Sequence, residues 1–292
     1  MRFKDKVVIV TGGNSGIGRG IVRRFVKEGA RVAIVGRDEA KGADTLAEMK
    51  GLGADAEFYS VDLGDEEGAR RMVAAVAQGF GRIDVVVNNA GGGSRKAGVL
   101  HQDPPGRRLR KIMAANLEAA YYVASYAMPH LKEAGHGAIV NISSTATFHG
   151  TWGNYGIVKA GVEALTRSLA VEGAPHGIRA NSVSPGWIDT GGYDRRQELA
   201  EKRLPAPAQR DARRDRRRRL LPGERGGFLH HRHHPRRRWR AGDHRLLLAL
   251  LARDHRHPPD VRRHPRSGLG RKIFPIWAFH LTTTSFAYTL KI

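Results

Sequence analysis

The sequence predicts a doubly wound α/β fold, a parallel sheet with helices on both faces. Three observations lead there. Short runs of β-branched residues recur through the first two thirds of the 292-residue chain. Each pair of runs is separated by a segment long enough for a helix. The first run passes directly into a glycine-rich turn. Strands that alternate with helices build parallel sheets, because right-handed crossovers lay the helices on the two faces.

Val7-Val8-Ile9-Val10 is continuous and apolar, as a strand buried on both faces must be. Thr11-Gly12-Gly13-Asn14-Ser15-Gly16-Ile17-Gly18 follows, and a helical pattern then runs through Phe25 and Val26. Residues 31–35 form the second strand, and residues 56–61, 83–87, 138–142 and 179–183 are the further strand candidates. Ligands of such sheets sit beyond the carboxyl ends of the strands, and the informative motifs fall there. A glycine turn between strand and helix lets the backbone approach a pyrophosphate that faces amide groups at the helix N-terminus. Glycine also marks ordinary turns, so its place directly after the first strand is what favours a nucleotide.

Composition narrows the function. There is no cysteine, which removes disulfides, thiolate metal sites and thiol nucleophiles, and no metal site is expected. The first ten residues lack the apolar stretch of a signal peptide. The longest aliphatic run, residues 246–252, is too short to span a bilayer. A soluble, cytoplasmic protein with no membrane partner is expected.

Thr11-Gly12-Gly13-Asn14-Ser15-Gly16-Ile17-Gly18, Asn88-Asn89-Ala90-Gly91, Asn116, Ser144, Tyr155-Gly156-Ile157-Val158-Lys159 and Pro185-Gly186 stand in an order and at spacings that resemble the short-chain dehydrogenase/reductase family. The resemblance covers residues 1–203, which are expected to form an NAD(P)-binding, Rossmann-type catalytic domain. It implies an oxidoreductase that moves a hydride between a nicotinamide cofactor and a secondary alcohol or ketone. It assigns the cofactor to Thr11, Gly12, Asn14, Ser15, Gly16, Ile17 and Gly18 in the turn, to Asp62 and Leu63 at the adenine, and to Asn89, Ala90 and Gly91. Pro185, Gly186, Ile188 and Thr190 complete that set, Thr190 reaching the nicotinamide amide. It further implies that Lys159 holds the nicotinamide ribose and that Asn116 supports a water relay. A serine polarises the substrate carbonyl; the Ile-Ser-Ser block favours Ser144, with Ser143 beside it as the alternative. The helices after Asn116 and around Tyr155 are the expected face of a homodimer.

The residues themselves permit this chemistry. Tyr155 and Lys159 are four apart and share a helix face. A phenol titrates near 10, and a neighbouring ammonium favours the phenolate, so Tyr155 is expected to exchange the proton with Lys159 poising it. Cofactor choice turns on the end of the second strand, where an acid would bind the ribose 2′-OH of NAD and repel a 2′-phosphate. Gly36 supplies no acid, and Arg37 offers a fork matched to phosphate. NADP is therefore the expected cofactor, with NAD as the alternative. Asp38, one residue later, suits the start of the next helix.

The pattern stops near Leu204. Residues 1–203 carry 28 basic and 22 acidic side chains, a net of +6, whereas residues 204–292 carry 22 and 6, a net of +16 of the total +22. In this tail Arg outnumbers Lys by 20 to 2 and no hydrophobic period persists, so it is expected to be irregular or disordered. The genetic code offers an explanation. With the first base of the Phe228 codon dropped, residues 228–240 can encode Ser-Ser-Ile-Thr-Gly-Thr-Thr-Leu-Val-Val-Asp-Gly-Gly, which resembles the family's last strand. A reading frame that slips near Pro205 or Ala206 accounts for the tail and leaves the sheet without that strand. The alternative is a Rossmann module, catalytically impaired, whose basic tail binds nucleic acid non-specifically or another acidic partner.

Overall fold

A computed structural model describes residues 1–149, 152–186 and 188–190, together with the backbone of 239–240. Six strands form one parallel sheet: β1 (Val7–Thr11), β2 (Arg31–Gly36), β3 (Ala56–Ser60), β4 (Val85–Asn88), β5 (Gly137–Ile142) and β6 (Ile178–Val183). Their order is β3-β2-β1-β4-β5-β6. The winding reverses between β1 and β4, and a ligand crevice opens at such a switch point. Every strand expected from the sequence is present. In the run at 83–87 the strand begins at Val85, and ahead of it the Asp84 backbone still bonds Val7 and Ala138 on either side.

β1 is buried along its whole length, and its alternate residues feed two cores. Val8 and Val10 pack with Ile21, Val22 and Phe25 of α1 (Gly16–Lys27) and with Met49 of α2 (Glu39–Gly51). Val7 and Ile9 pack on the other face with α3 (Glu66–Phe80), α5 (Ala119–Glu133) and Leu169 of α6 (Gly153–Gly173). The remaining helix, α4 (Pro105–Met113), begins with proline in its first turn, where the missing N–H costs nothing.

Local sequence explains the helix ends. Asp38 caps α2 by accepting from the Lys41 N–H at 3.0 Å, so it opens that helix. Asp65 caps α3 in the same way, accepting from the Gly68 N–H at 3.1 Å, and Gly81 closes it in the left-handed conformation. At the amino ends of the strands, the buried Asp84 carboxylate accepts from the Val7 N–H at 2.9 Å, Lys6 at 3.1 Å and Arg82 at 2.6 Å.

The chain divides into two compact units after Gly186. In the second, Ile188–Asp189 pairs in parallel with Trp239–Arg240. Among the described residues β6 pairs only with β5 and ends the six-stranded sheet. The tail expected to be irregular lies, apart from that short strand, outside the described residues.

Candidate active site

The glycine turn after β1 is built for close approach. Gly12 and Gly16 hold positive φ of 63° and 50°, a region that side chains disfavour. A Cβ on Gly18 would lie 2.0 Å from the Gly12 carbonyl oxygen, and one on Gly12 would lie 2.9 Å from Asn89 Nδ2. Ser15 stands at the N-cap of α1 without a capping side-chain bond, and no acid lies in the first turn. The amide groups at that helix end remain available to an anion. Ile17 packs against the core from the first turn.

Thr11 ties this turn to the end of β4. Its hydroxyl accepts from the N–H groups of Asn89 and Ala90, both at 2.9 Å, while Asn89 Nδ2 donates to the Thr11 carbonyl at 2.9 Å. Gly91 has φ of 135°, and a Cβ there would lie 2.4 Å from Asn116 Oδ1. The turn stands at the switch point of the sheet, with its glycines leaving the backbone open to close approach.

At the end of β2 the structure adds a reason for Gly36. The Asn14 side chain fills the space where a Cβ would stand, with Oδ1 2.5 Å from it. Asn14 Nδ2 also donates to the Asp38 carbonyl at 3.1 Å. A side chain at position 36 would have to displace the Asn14 amide and its bond to Asp38. The exposed Arg37 guanidinium lies 3.5 Å from the Asp62 carboxylate and donates to the Lys96 carbonyl at 3.3 Å. Asp62 is exposed beside it, whereas the Leu63 side chain is buried in the core on the α3 face. Any contact from position 63 to a ligand must therefore come from its backbone.

Asn116 lies in a π turn, Ala114–Glu118, between α4 and α5. It is 1% exposed, and its side chain is fully engaged. Oδ1 accepts from the Gly92 N–H at 3.0 Å, and Nδ2 donates to the carbonyls of Gly92 at 3.0 Å and Ile112 at 2.9 Å. The side chain locks the turn after β4 to the helix.

Tyr155 and Lys159 occupy one face of α6, and the two adjacent serines diverge. Ser143 is buried and donates to Glu163 Oε1 at 2.8 Å. Ser144 caps the 3-10 turn Thr145–Phe148, accepting from the Ala146 N–H at 3.1 Å, and its side chain lies close enough to the Tyr155 phenol to lower it against burial. Of the two, Ser144 is the one brought to Tyr155. Lys159 is 4% exposed; its ammonium donates to the Ile142 carbonyl at 2.8 Å and lies 5.7 Å from the centre of the Tyr155 ring.

The electrostatics differ from the expectation that Lys159 would lower the phenol. Burial pushes the Tyr155 phenol up, and the opposing influence is the Ser144 side chain. Burial also pushes the Lys159 ammonium down to about 8. The ammonium is turned to the end of β5, and both groups lose solvation. Pro185 joins the site's frame through its carbonyl, which accepts from the Thr145 N–H at 3.0 Å, and the exposed Gly186 follows it. Ile188 and Thr190 belong to the second unit, Ile188 within its strand.

Sequence reasoning passed over Glu163, although it continues the helical spacing of Tyr155 and Lys159 by four. Among the described residues no group of His, Asp or Glu side chains could hold a metal ion. No described helix is long and apolar enough to cross a membrane.

The model of the short chain dehydrogenase family matches residues 6–200. A 3beta-hydroxysteroid dehydrogenase of Mediterraneibacter gnavus is 36% identical over 193 residues, covering 65% of this chain and 68% of that protein. An L-fucose dehydrogenase of Bos taurus is 37% identical over 201 residues, covering 65% and 68%. Among solved structures, NAD+-bound xylitol dehydrogenase superposes with a TM-score of 0.63 at 29% identity, covering 70% of this chain and 79% of that one.

Proposed function

Because the chain belongs to the short-chain dehydrogenase family and is an oxidoreductase by that membership, we propose that it reduces a ketone to a secondary alcohol, and reverses that reaction, with NADP(H) as cofactor. One observation carries the reading: the Ser144 hydroxyl meets the Tyr155 phenol at the carboxyl end of the sheet, with Lys159 buried on the same helix face. The relatives named for a hydroxysteroid and for a sugar support a hydroxyl-bearing substrate.

Thr11, Gly12, Asn14, Ser15, Gly16, Ile17 and Gly18 form the pyrophosphate cradle, with Asn89, Ala90 and Gly91 along its side. Arg37 supplies the fork for a 2′-phosphate and favours NADP over the NAD bound by the xylitol enzyme. Asp62 and the backbone of Leu63 flank the adenine. Pro185 and Gly186, held to the Thr145 loop, line the nicotinamide side. The nicotinamide, when bound, supplies or accepts the hydride.

Ser144 donates a hydrogen bond to the carbonyl oxygen and stabilises the charge that develops there. Tyr155 gives that oxygen its proton as hydride reaches the carbon, and takes it back in the reverse direction. A phenol raised by burial is protonated at neutral pH, which suits it as the acid for reduction. Lys159 places a cation behind the phenolate that reduction leaves, and Asn116 holds the π turn through which water replaces the proton. The substrate is a small-molecule alcohol or ketone, and a homodimer through α5 and α6 is in keeping with exposed Tyr121 and Ile157 on those helices.

The test is NADPH oxidation with a panel of ketones, alongside Tyr155→Phe. The variant should lose 10²–10⁴-fold or so in turnover, the usual contribution of a positioned acid, while binding NADPH as the parent does. Parental turnover in Tyr155→Phe would overturn the assignment.

A further inference from the structure

We propose that Glu163 is a positioning residue for this reaction, because its carboxylate gathers the three segments that present Ser144 to Tyr155. The inference rests on the reading that Ser144 and Tyr155 are the reacting pair. One carboxylate oxygen, Oε1, accepts three hydroxyls: Ser143 at 2.8 Å, Thr147 at 3.2 Å and Ser184 at 3.2 Å. These come from the end of β5, the 3-10 turn that Ser144 caps, and the segment after β6. Ser144 lies between the first two, one residue from Ser143 and three from Thr147.

Glu163 also holds the site from its own side. Tyr155, Lys159 and Glu163 follow one another at four-residue spacing along α6, so one helix face carries all three. The Ser143 hydroxyl lies 3.2 Å from the Lys159 carbonyl as well, which joins the serine pair to the helix at the lysine. A hydroxyl has one proton, and the shorter contact to a carboxylate is the stronger acceptor. Without Glu163, three hydroxyls from three different segments lose their common acceptor. The loop that sets the Ser144 oxygen against the phenol then keeps its backbone bonds, Ser143 N–H to Val183 and Thr145 N–H to Pro185, and the hydroxyl bonds of Ser143 to the Lys159 carbonyl and of Thr147 to the Ser144 carbonyl, but nothing joins the three segments at one point. Glu163 touches neither substrate nor cofactor in this scheme and acts through Ser144.

A double-variant cycle on the full chain tests this, using Glu163→Ala, Ser144→Ala and their combination. Turnover should fall by ten-fold or so in Glu163→Ala, with the NADPH dissociation constant unchanged. In the Ser144→Ala background the same change should cost less than two-fold. Glu163→Gln keeps an acceptor oxygen and should recover most of the turnover, which separates lost geometry from a failure to fold. A second readout needs no activity: the ¹³Cζ resonance of Tyr155, assigned by its loss in Tyr155→Phe. It should move in the same direction in Ser144→Ala and Glu163→Ala, with no further movement in the double variant. Additive losses of turnover, or a Tyr155 resonance that ignores Glu163→Ala, would overturn the proposal. A parent without turnover would sink the reductase reading, and the resonance would still decide whether Glu163 positions Ser144.

Discussion

Replacing Lys159 by Met should change the pH dependence of stability in a way that isolates one buried ammonium. The Lys159 ammonium is pushed by burial from 10.5 down to about 8, a fall worth about 3 kcal/mol at 1.4 kcal/mol per pH unit. In the unfolded chain the same group titrates near 10.4. Below about pH 8 both states hold the proton, and the folded state carries the full desolvation penalty. Between about 8 and 10.4 the unfolded chain holds the proton more tightly, so this group makes stability rise with pH. Above that window the penalty is gone. Denaturant unfolding at pH 7 and at pH 10.5 measures it, and subtracting the Lys159→Met values cancels the other titrating groups. The stability of the parent relative to the variant should increase by about 3 kcal/mol across the window. A flat difference would show that Lys159 keeps its ordinary affinity for the proton. A decrease would show that the folded state raises it, as a close phenolate would do, and would restore the expectation that Lys159 depresses the phenol.

Arg37→Ala should weaken NADPH binding by about 1.5–3 kcal/mol, the range of a hydrogen bond to a charged group, and leave NADH nearly unaffected. Equal losses for both cofactors in a fluorescence titration would remove the 2′-phosphate assignment. Gly18→Ala should abolish cofactor retention, since its Cβ would meet the Gly12 carbonyl at 2.0 Å; normal NADPH binding by a folded variant would contradict the cradle. Asp84→Ala should cost about 1–3 kcal/mol, because the Val7 N–H loses its acceptor while the half-exposed Lys6 and Arg82 turn to solvent. Burial opposes ionisation of Asp84, but the bonds from Arg82, Val7 and Lys6 outweigh it and hold the carboxyl below its ordinary range. Its contribution is therefore complete above about pH 4 and is lost as the pH falls further, which acid titration of the parent against the variant should show.

The parts of the fold that were legible are those in which one residue type does one job. Four β-branched residues at 7–10 admit a strand buried on both faces and little else, and the glycines at 12, 16 and 18 mark a turn whose φ values and close contacts demand them. Asp38 could be placed at a helix start because a short acceptor there satisfies an amide that nothing else reaches. What escaped the sequence depends on partners brought from afar. Asn14 occupies the space beside Gly36 from 22 residues away, and Asn116 spends its amide on the Gly92 turn. Neither relation leaves a spacing to read.

The serine pair makes the same point more sharply. Ser143 and Ser144 are equivalent in the sequence, and only the alternation of side chains at the end of β5 separates them. One turns inward to Glu163, the other outward to Tyr155. A one-residue change of register at that strand end would exchange their roles. The register of β5 is set on both sides, by pairing with β4 and with β6, and the Ser143 N–H extends the second pairing by donating to the Val183 carbonyl at 2.7 Å. The hydroxyl that meets the phenol is thus chosen by the sheet. Its chemistry is local, but its selection rests on β6, the last strand of the sheet among the described residues. Whatever secures that strand secures the identity of the serine as well.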